Sequence, residues 1–293
     1  MVFMSREISI TINMTGKLYI VGTPIGNLDD MSIRALRVLK EVDLIAAEDT
    51  RHSIKLLNHF EIPKKMVAYH QHNEQKSSEG LIALLKQGQN IALISDAGMP
   101  LISDPGSVLV KSCVENGIAM EVVPGPNAGL CGLVLSGLDT RAFLFLGFLG
   151  KENKAIKEGL KRIEEADVST VLYESPHRLT KTLEALEKFG LGHRQMSISR
   201  EITKRYEETI YGSISEHIQY FQERTPRGEY VLCIEGKTAE EASTITNLEI
   251  EGLSIEDHLA HYLNEGIPEK EAMKQVAKDR GISKRDVYNV VKR

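Results

Sequence analysis

Through the first 120 residues, short apolar runs alternate with stretches whose apolar positions recur every three or four residues. Lys17–Val21, Leu44–Ala47, Ile91–Ile94 and Ala119–Val123 have the length and apolar density of strands. Between them, Met31–Val42 places Ile33, Leu36, Leu39 and Val42 on one side of a helix, and Ser53–Phe60, Ser78–Lys86 and Ser107–Glu115 repeat that periodicity. The helix ends are marked by Ile62-Pro63, Gly88 and Asn116-Gly117. Strands alternating with helices predict a parallel sheet and an α/β fold.

Beyond Val123 the pattern changes. A Pro/Gly turn leads to a helix of small residues, Ala128–Ser136, then strand Phe143–Phe148 and the Lys-rich helix Lys151–Glu165. Strand Thr170–Tyr173 runs into Glu174-Ser175-Pro176, where Ser175 is the expected N-cap and Pro176 the first helical residue, with Leu179, Leu183 and Leu186 as the buried stripe. After Gly192 the chain turns strand-like, at Gln195–Arg200, Glu207–Tyr211 and Glu229–Glu235, with helix Ser215–Arg224 between the last two. The polar, acidic segment 237–252 suits a linker. Helices Glu269–Arg280 and Lys284–Lys292 then form a unit of helix–turn–helix size.

These patterns predict an extension over residues 1–14, a first α/β domain over 15–123, a second over 124–236, a linker over 237–252 and a small helical module over 253–293. At 293 residues the chain is long for one core and comfortable for two. A composition of 42% hydrophobic and 26% charged residues is that of an ordinary globular protein, and no apolar run approaches the roughly 18 residues of a membrane span. Cys113, Cys131 and Cys233 lie far apart among apolar neighbours, which predicts buried thiols in a cytoplasmic protein. The formal charge of −5 argues against nonspecific coating of nucleic acid, yet Pro268–Arg293 is locally basic.

Four Gly/Pro-rich elbows follow strands: GTPIGN (22–27), SDAGMPLISDPG (95–106), VPGPNAG (123–129) and GFLGKEN (147–153). Strand ends of a parallel sheet converge on one crevice, where open α/β sheets hold ligands. The elbows lack the Lys-Ser/Thr ending of a triphosphate loop and the GxGxxG spacing of a dinucleotide site. Their free backbone groups suit an amino-acid moiety and an adenine edge, which favours a ligand such as S-adenosylmethionine over ATP.

Three polar clusters accompany the elbows. Glu48-Asp49-Thr50-Arg51 follows a strand end; it is either an ion-pair network at a helix start or a group facing the crevice, with Arg51 suited to phosphate. Tyr69-His70-Gln71-His72-Asn73-Glu74 has a His-X-His spacing, but without cysteines and with only one nearby carboxylate a substrate-contacting loop is favoured over a metal site. In Tyr173-Glu174-Ser175-Pro176-His177-Arg178, consecutive neighbours point in different directions and no GxSxG elbow is present, so no hydrolytic triad is expected.

In order, the segments GTPIGNLDD, AEDTR, YHQHNE, SDAGMPLISDPG, VPGPNA, YESPHR and REITK resemble the bacterial 16S ribosomal RNA cytidine 2′-O-methyltransferases, a family within the tetrapyrrole methylase superfamily. The resemblance runs from about Lys17 to Gly236 and, more loosely, through the basic tail. It implies two α/β domains of tetrapyrrole-methylase type with S-adenosylmethionine folded into the crevice between them. The acceptor it implies is 16S rRNA of the small ribosomal subunit, and the usual assembly a homodimer; neither DNA nor a membrane is an expected partner. Carried over residue by residue, the donor contacts implied are Pro24, Asp96, Ala97, Gly98, Ile102, Ser103 and Asp104, with Pro124, Gly125, Pro126, Ala128, Phe148, Tyr173, Glu174 and Tyr230 from the second domain. No metal is needed, because the sulfonium methyl is already activated. Glu48, Asp49, Glu74 and His70 are the candidates to receive the proton of the 2′-hydroxyl, and Arg51 the candidate to hold a phosphate. One departure is visible: the family commonly has Pro where Gly150 stands, ahead of the Lys151, Lys154, Lys157 and Lys161 stripe. A methyltransferase for a tetrapyrrole or for the diphthine type of substrate, and a noncatalytic ribosome-associated binding module, are the competing readings.

Overall fold

The computed structural model describes residues 15–70, 73–238, 253–264 and 267–291. The expected N-terminal extension, nearly all of the expected linker, and Gln71 and His72 lie outside the described residues. The first sheet contains β1 (Leu18–Val21), β2 (Leu44–Ala47), β3 (Met66–Ala68), β4 (Ile91–Ile94) and β5 (Met120–Val123) in the order β3-β2-β4-β1-β5. Every pairing in it is parallel.

Alternation along these strands feeds two separate cores, one on each face. Leu18, Ile20, Leu44, Ala46, Ile91 and Leu93 pack with Leu81, Ile82 and Leu85 of α3 (Glu74–Lys86) and Leu109 and Cys113 of α4 (Ser107–Glu115). Val21, Ile45, Ala47, Ala92, Ile94 and Val123 pack with Ala35, Val38 and Leu39 of α1 (Ile33–Glu41) and Leu57 of α2 (Thr50–His59). A sheet buried on both faces explains why β2 and β4 are continuous apolar runs rather than alternating ones.

Helix starts are set by short polar side chains. Ser32 accepts a hydrogen bond from the Ala35 N–H at the start of α1, and Asp49 accepts one from the Arg51 N–H at the start of α2. Both α2 and α3 begin several residues before the apolar periodicity does, because the first turn of each carries only polar side chains.

The second sheet has the order β6-β7-β10-β8-β9: β6 (Phe143–Phe148), β7 (Ser169–Glu174), β10 (Tyr230–Ile234), β8 (Gln195–Arg200) and β9 (Glu208–Ser213). Only β6 and β7 are parallel; the remaining pairs are antiparallel. A register shift between Phe145 and Gly147 bends β6. Helix α5 (Ala128–Leu135) lies against this sheet through Leu133, and Gly132 is needed there, since a Cβ on it would stand 2.5 Å from Val231 Cγ1.

One expected helix start is corrected. Ser175 does not cap through its side chain: its carbonyl oxygen accepts from the Arg178 and Leu179 N–H groups in a turn, and α7 begins at Leu179 (Leu179–Leu186). The buried Glu174 carboxylate supplies the polar anchor instead, accepting from the Ser175 N–H (2.7 Å) and the Thr182 hydroxyl (2.6 Å). Helix α6 (Asn153–Glu165) precedes β7, and α8 (Ile214–Gln222) opens with a capping box between Ser213 and Glu216.

By contacts the chain divides into two compact units, Met1–Lys161 with Ser169–Glu235, and Arg162–Val168 with Gly236–Arg293. Both sheets belong to the first. The second has its own core of Leu259, Ala272, Met273, Val276, Ala277 and Val287, drawn from helices α9 (Ile255–Asn264), α10 (Glu269–Asp279) and α11 (Lys284–Val291). Among the described residues no helix is long and apolar enough to cross a membrane.

Candidate active site

The loops after β1, β2 and β4 leave the first sheet at one edge and are tied to each other. Thr23 N–H donates to Gly98 O (2.9 Å), and Gly98 N–H returns a bond to Thr23 O (3.1 Å). The Thr23 hydroxyl donates to Ser95 O (3.3 Å), and the Asp49 N–H donates to Asp96 Oδ1 (3.1 Å). A closer approach joins the loops after β1 and β5. A Cβ on Gly22 would stand 2.7 Å from the Gly125 backbone, and one on Gly125 2.8 Å from the Gly22 Cα, so only glycine fits at either place.

The elbow Ser95–Gly106 adopts a strained path. Leu101 (φ 71°) and Ser103 (φ 69°) sit in the left-handed region despite carrying a Cβ, at a cost of roughly 1–2 kcal/mol each. Such backbone persists where surrounding contacts over-determine it. One of these contacts is the Gly106 N–H, which donates to Glu74 Oε1 at 2.8 Å. Another is Gly147 of the β6 bulge (φ 61°), which leaves room for the Ser103 hydroxyl; a Cβ there would come within 2.5 Å of it.

From the second sheet, Tyr173 Oη accepts the Gly129 N–H at 3.0 Å, fixing the start of α5 beside β7. The Tyr173 ring meets Phe145 and Phe148 edge-on, with centroids 5.3 and 5.6 Å apart. Arg178 Nη2 donates to Leu149 O (2.8 Å) and Gly150 O (3.1 Å), so the YESPHR turn holds the GFLG elbow.

These loops enclose a cavity of about 380 Å³. Of the expected donor contacts, Asp96, Ala97, Gly98, Ile102, Ser103, Asp104, Ala128, Phe148, Tyr173, Glu174 and Tyr230 line it, and so does Glu48 from the set of candidate proton acceptors. Pro24 does not, although its neighbour Ile25 does. Pro124, Gly125 and Pro126 line a neighbouring hollow with Asp30, Cys131 and Thr203.

Asp49, Arg51, His70 and Glu74 are absent from the cavity lining, for identifiable reasons. Asp49 caps α2 and is gripped by the Arg51 guanidinium at 2.8 and 3.1 Å, which holds its carboxyl far below the usual carboxylate range. Arg51 itself is exposed. Of the two readings of the EDTR cluster, the geometry of this pair is that of a helix-start ion pair. Glu74 is spent on the Gly106 N–H. His70 is exposed, close enough for its charge to oppose the rise in the Glu48 pKa.

The sequence did not single out Ile25, Met99 or Asn127, nor Glu201, Ile202 and Lys204 of the quoted REITK segment, all of which line the cavity. The lining is acidic: Glu48, Asp96, Asp104, Glu174, Glu201 and Glu229 against Lys204. Burial, and then the neighbouring Glu48 charge, pushes the Asp104 carboxyl up to about 7. Burial and the Asp96 charge raise Glu48 as well. Carboxylates crowded in a half-buried cavity favour a cationic ligand and repel a polyphosphate.

Residues 17–217 match the family Tetrapyrrole (Corrin/Porphyrin) Methylases. Among curated relatives, the Ribosomal RNA small subunit methyltransferase I of Halalkalibacterium halodurans is 48% identical over 277 residues, covering 94% of each chain. The protein of the same name from Bacillus subtilis is 45% identical over 274 residues, covering 94% of this chain and 93% of its own. Among solved structures, the uroporphyrin-III C-methyltransferase of Thermus thermophilus complexed with S-adenyl homocysteine aligns with a TM-score of 0.53 at 16% identity, covering 76% of this chain and 98% of its own. At that identity the likeness shows a shared fold.

Proposed function

The chain belongs to the tetrapyrrole methylase family, and from that premise we propose that it transfers a methyl group from S-adenosylmethionine to the ribose 2′-oxygen of a cytidine in 16S rRNA. The observation that carries this reading is the carboxylate-lined cavity at the strand ends, in a chain that matches rRNA small subunit methyltransferases over nearly its whole length.

The residues present fit the donor. Its sulfonium is a cation, and Asp96, Asp104 and Glu48 give the cavity a negative potential that a sulfonium relieves. Bound there, the donor supplies a methyl group already activated for transfer to an oxygen nucleophile. The backbone groups of the Ser95–Gly106 elbow, with Leu101 and Ser103 left-handed, would hold the amino-acid portion, and the Phe148 and Tyr173 rings at the cavity wall would offer it apolar surface.

The remaining work falls to the chain itself. Its tied loops hold the acceptor oxygen in line with the transferred methyl, and alignment of this kind is worth roughly 7–11 kcal/mol at best. Glu48, with its raised pKa and its place in the lining, is the residue positioned to accept the hydroxyl proton. The exposed lysines of α6 (Lys154, Lys157 and Lys161) with Lys151 ahead of it, and the locally basic segment 268–293, would meet RNA phosphates and position the strand without reading its sequence. Leu130 and Val134 on α5, with Tyr211 on β9, form an exposed apolar face suited to a second copy of the chain, consistent with a homodimer.

The test is transfer of a labelled methyl group from S-adenosylmethionine to small-subunit RNA that lacks the modification, with uroporphyrinogen as the competing acceptor. Label on the RNA alone is expected; label on the tetrapyrrole alone overturns the assignment.

A further inference from the structure

Lys204 is the sole basic side chain in the cavity lining among the described residues, and the donor reading does not use it. It ends the REITK turn after β8, where Glu201 (φ 51°) and Thr203 (φ 69°) both take the left-handed conformation. The strain is held by specific bonds. Lys204 N–H donates to Glu201 O (2.9 Å), Glu201 N–H to Glu229 O (3.0 Å), and Glu229 N–H to Glu201 Oε1 (3.1 Å). The lysine stem lies along the loop after β1, so that a Cβ on Gly26 would stand 2.4 Å from Lys204 Cγ.

The ammonium is splinted on two sides. Nζ donates to Glu201 Oε1 and to Glu229 Oε2, each at 2.9 Å. A lysine has three N–H donors, and the third has no partner among the described residues. A side chain with four rotatable bonds is thus fixed by turn, stem and two carboxylates, with one donor left to give.

Charge decides what that donor can hold. Lys204 with Glu201 and Glu229 carries a net charge of −1, and Glu48, Asp96 and Asp104 line the same cavity. A phosphate at this point would meet more carboxylate than ammonium, whereas an uncharged oxygen meets the N–H without that repulsion. We propose that Lys204 is the acceptor-binding residue of the cleft, its unspent N–H holding a neutral oxygen of the nucleoside to be methylated while the phosphates stay outside. This rests on the RNA methyltransferase reading above and adds to it how the acceptor is seated.

The experiment compares the full chain with Lys204→Met and Lys204→Arg in three measurements: calorimetric titration with S-adenosylmethionine, salt dependence of RNA affinity, and single-turnover methyl transfer with both substrates saturating. Donor affinity of Lys204→Met is expected to stay within about twofold of the parent. Its salt slope is expected to be unchanged, and its transfer rate to fall about 10- to 100-fold, the scale of one lost charge-assisted hydrogen bond. Lys204→Arg, which keeps the charge and can reach both carboxylates, recovers part of the rate. Loss of donor affinity in both variants would place Lys204 in the donor site or in the fold and overturn the proposal. A salt slope reduced by about 0.7 would reveal a phosphate contact and overturn it too. An unchanged rate in Lys204→Met, with an active parent, removes this proposal alone; a parent that methylates no RNA removes the underlying reading with it.

Discussion

Carboxylates of similar sequence context have been given different tasks by their surroundings. Asp49 is half-buried and gripped by Arg51, Glu74 is bound to a backbone N–H, and Glu48 lines the cavity with a raised pKa. Glu48→Gln is therefore expected to lower the single-turnover rate by about 10²–10⁴ while donor affinity changes much less. Asp49→Ala should instead lower the melting temperature through loss of the α2 cap, with the transfer rate of the folded enzyme nearly preserved; a large rate loss without destabilisation would return Asp49 to the reacting site. The Asp104 carboxyl, at about 7 in the folded chain, lies above its value of roughly 4 in an unfolded one. The folded state thus retains a proton that the unfolded state releases, and stability falls as pH rises from about 4 to 7. In thermal melts of the ligand-free chain, the parent should lose more stability across that interval than Asp104→Asn. Calorimetry should show affinity for the cationic donor rising with pH through 7 as the carboxylate ionises. The grouping of these residues by chemistry was legible in the sequence; their partners were not, because Glu74 and Gly106 meet only through the packing of α3 against α4.

At the scale of elements, the strands and helices follow from periodicity, while the contacts between loops do not. β2, β4, α4, β6 and β8 have the ends that apolar patterning predicts. β3 escapes that patterning, since three edge residues, the half-buried Met66 and Val67 and the exposed Ala68, are too few to show a period. The start of α7 escapes because a turn at Ser175–Arg178 and a buried Glu174 replace the side-chain cap that Ser-Pro suggests. The crossing of Gly22 and Gly125 is hidden for a different reason: each glycine looks like an ordinary turn residue, and only the neighbouring loop shows that there is no room for a Cβ. Gly22→Ala should separate the loops after β1 and β5, destabilise the chain by about 1–3 kcal/mol in denaturant unfolding, and weaken donor binding. An alanine variant with parental stability and donor affinity would show that the crossing is slack. The REITK segment was visible as a motif, but its place in the cavity depends on two left-handed residues that no periodicity reports.

For the whole molecule, two sheets of different character are brought together by glycine- and proline-rich loops, and their strand ends make one acidic cavity. The first sheet's parallel order follows from strand–helix alternation. The mixed second sheet was not legible, because β8, β9 and β10 are half-exposed or fully buried strands whose order depends on long-range pairing. If the exposed apolar residues Leu130, Val134 and Tyr211 form the proposed dimer face, the parent should sediment as a dimer and Val134→Lys shift toward monomer; a monomeric parent, or a dimer unchanged by the substitution, would exclude that face. The reaction proposed for this cavity is delivery of a methyl group to a ribose oxygen of RNA. Its most direct test is mass mapping of small-subunit RNA after single-turnover transfer of a labelled methyl by the purified chain. Label is expected on the 2′-oxygen of one cytidine; label on a base, or spread over many nucleotides, would rule out ribose methylation at a single site.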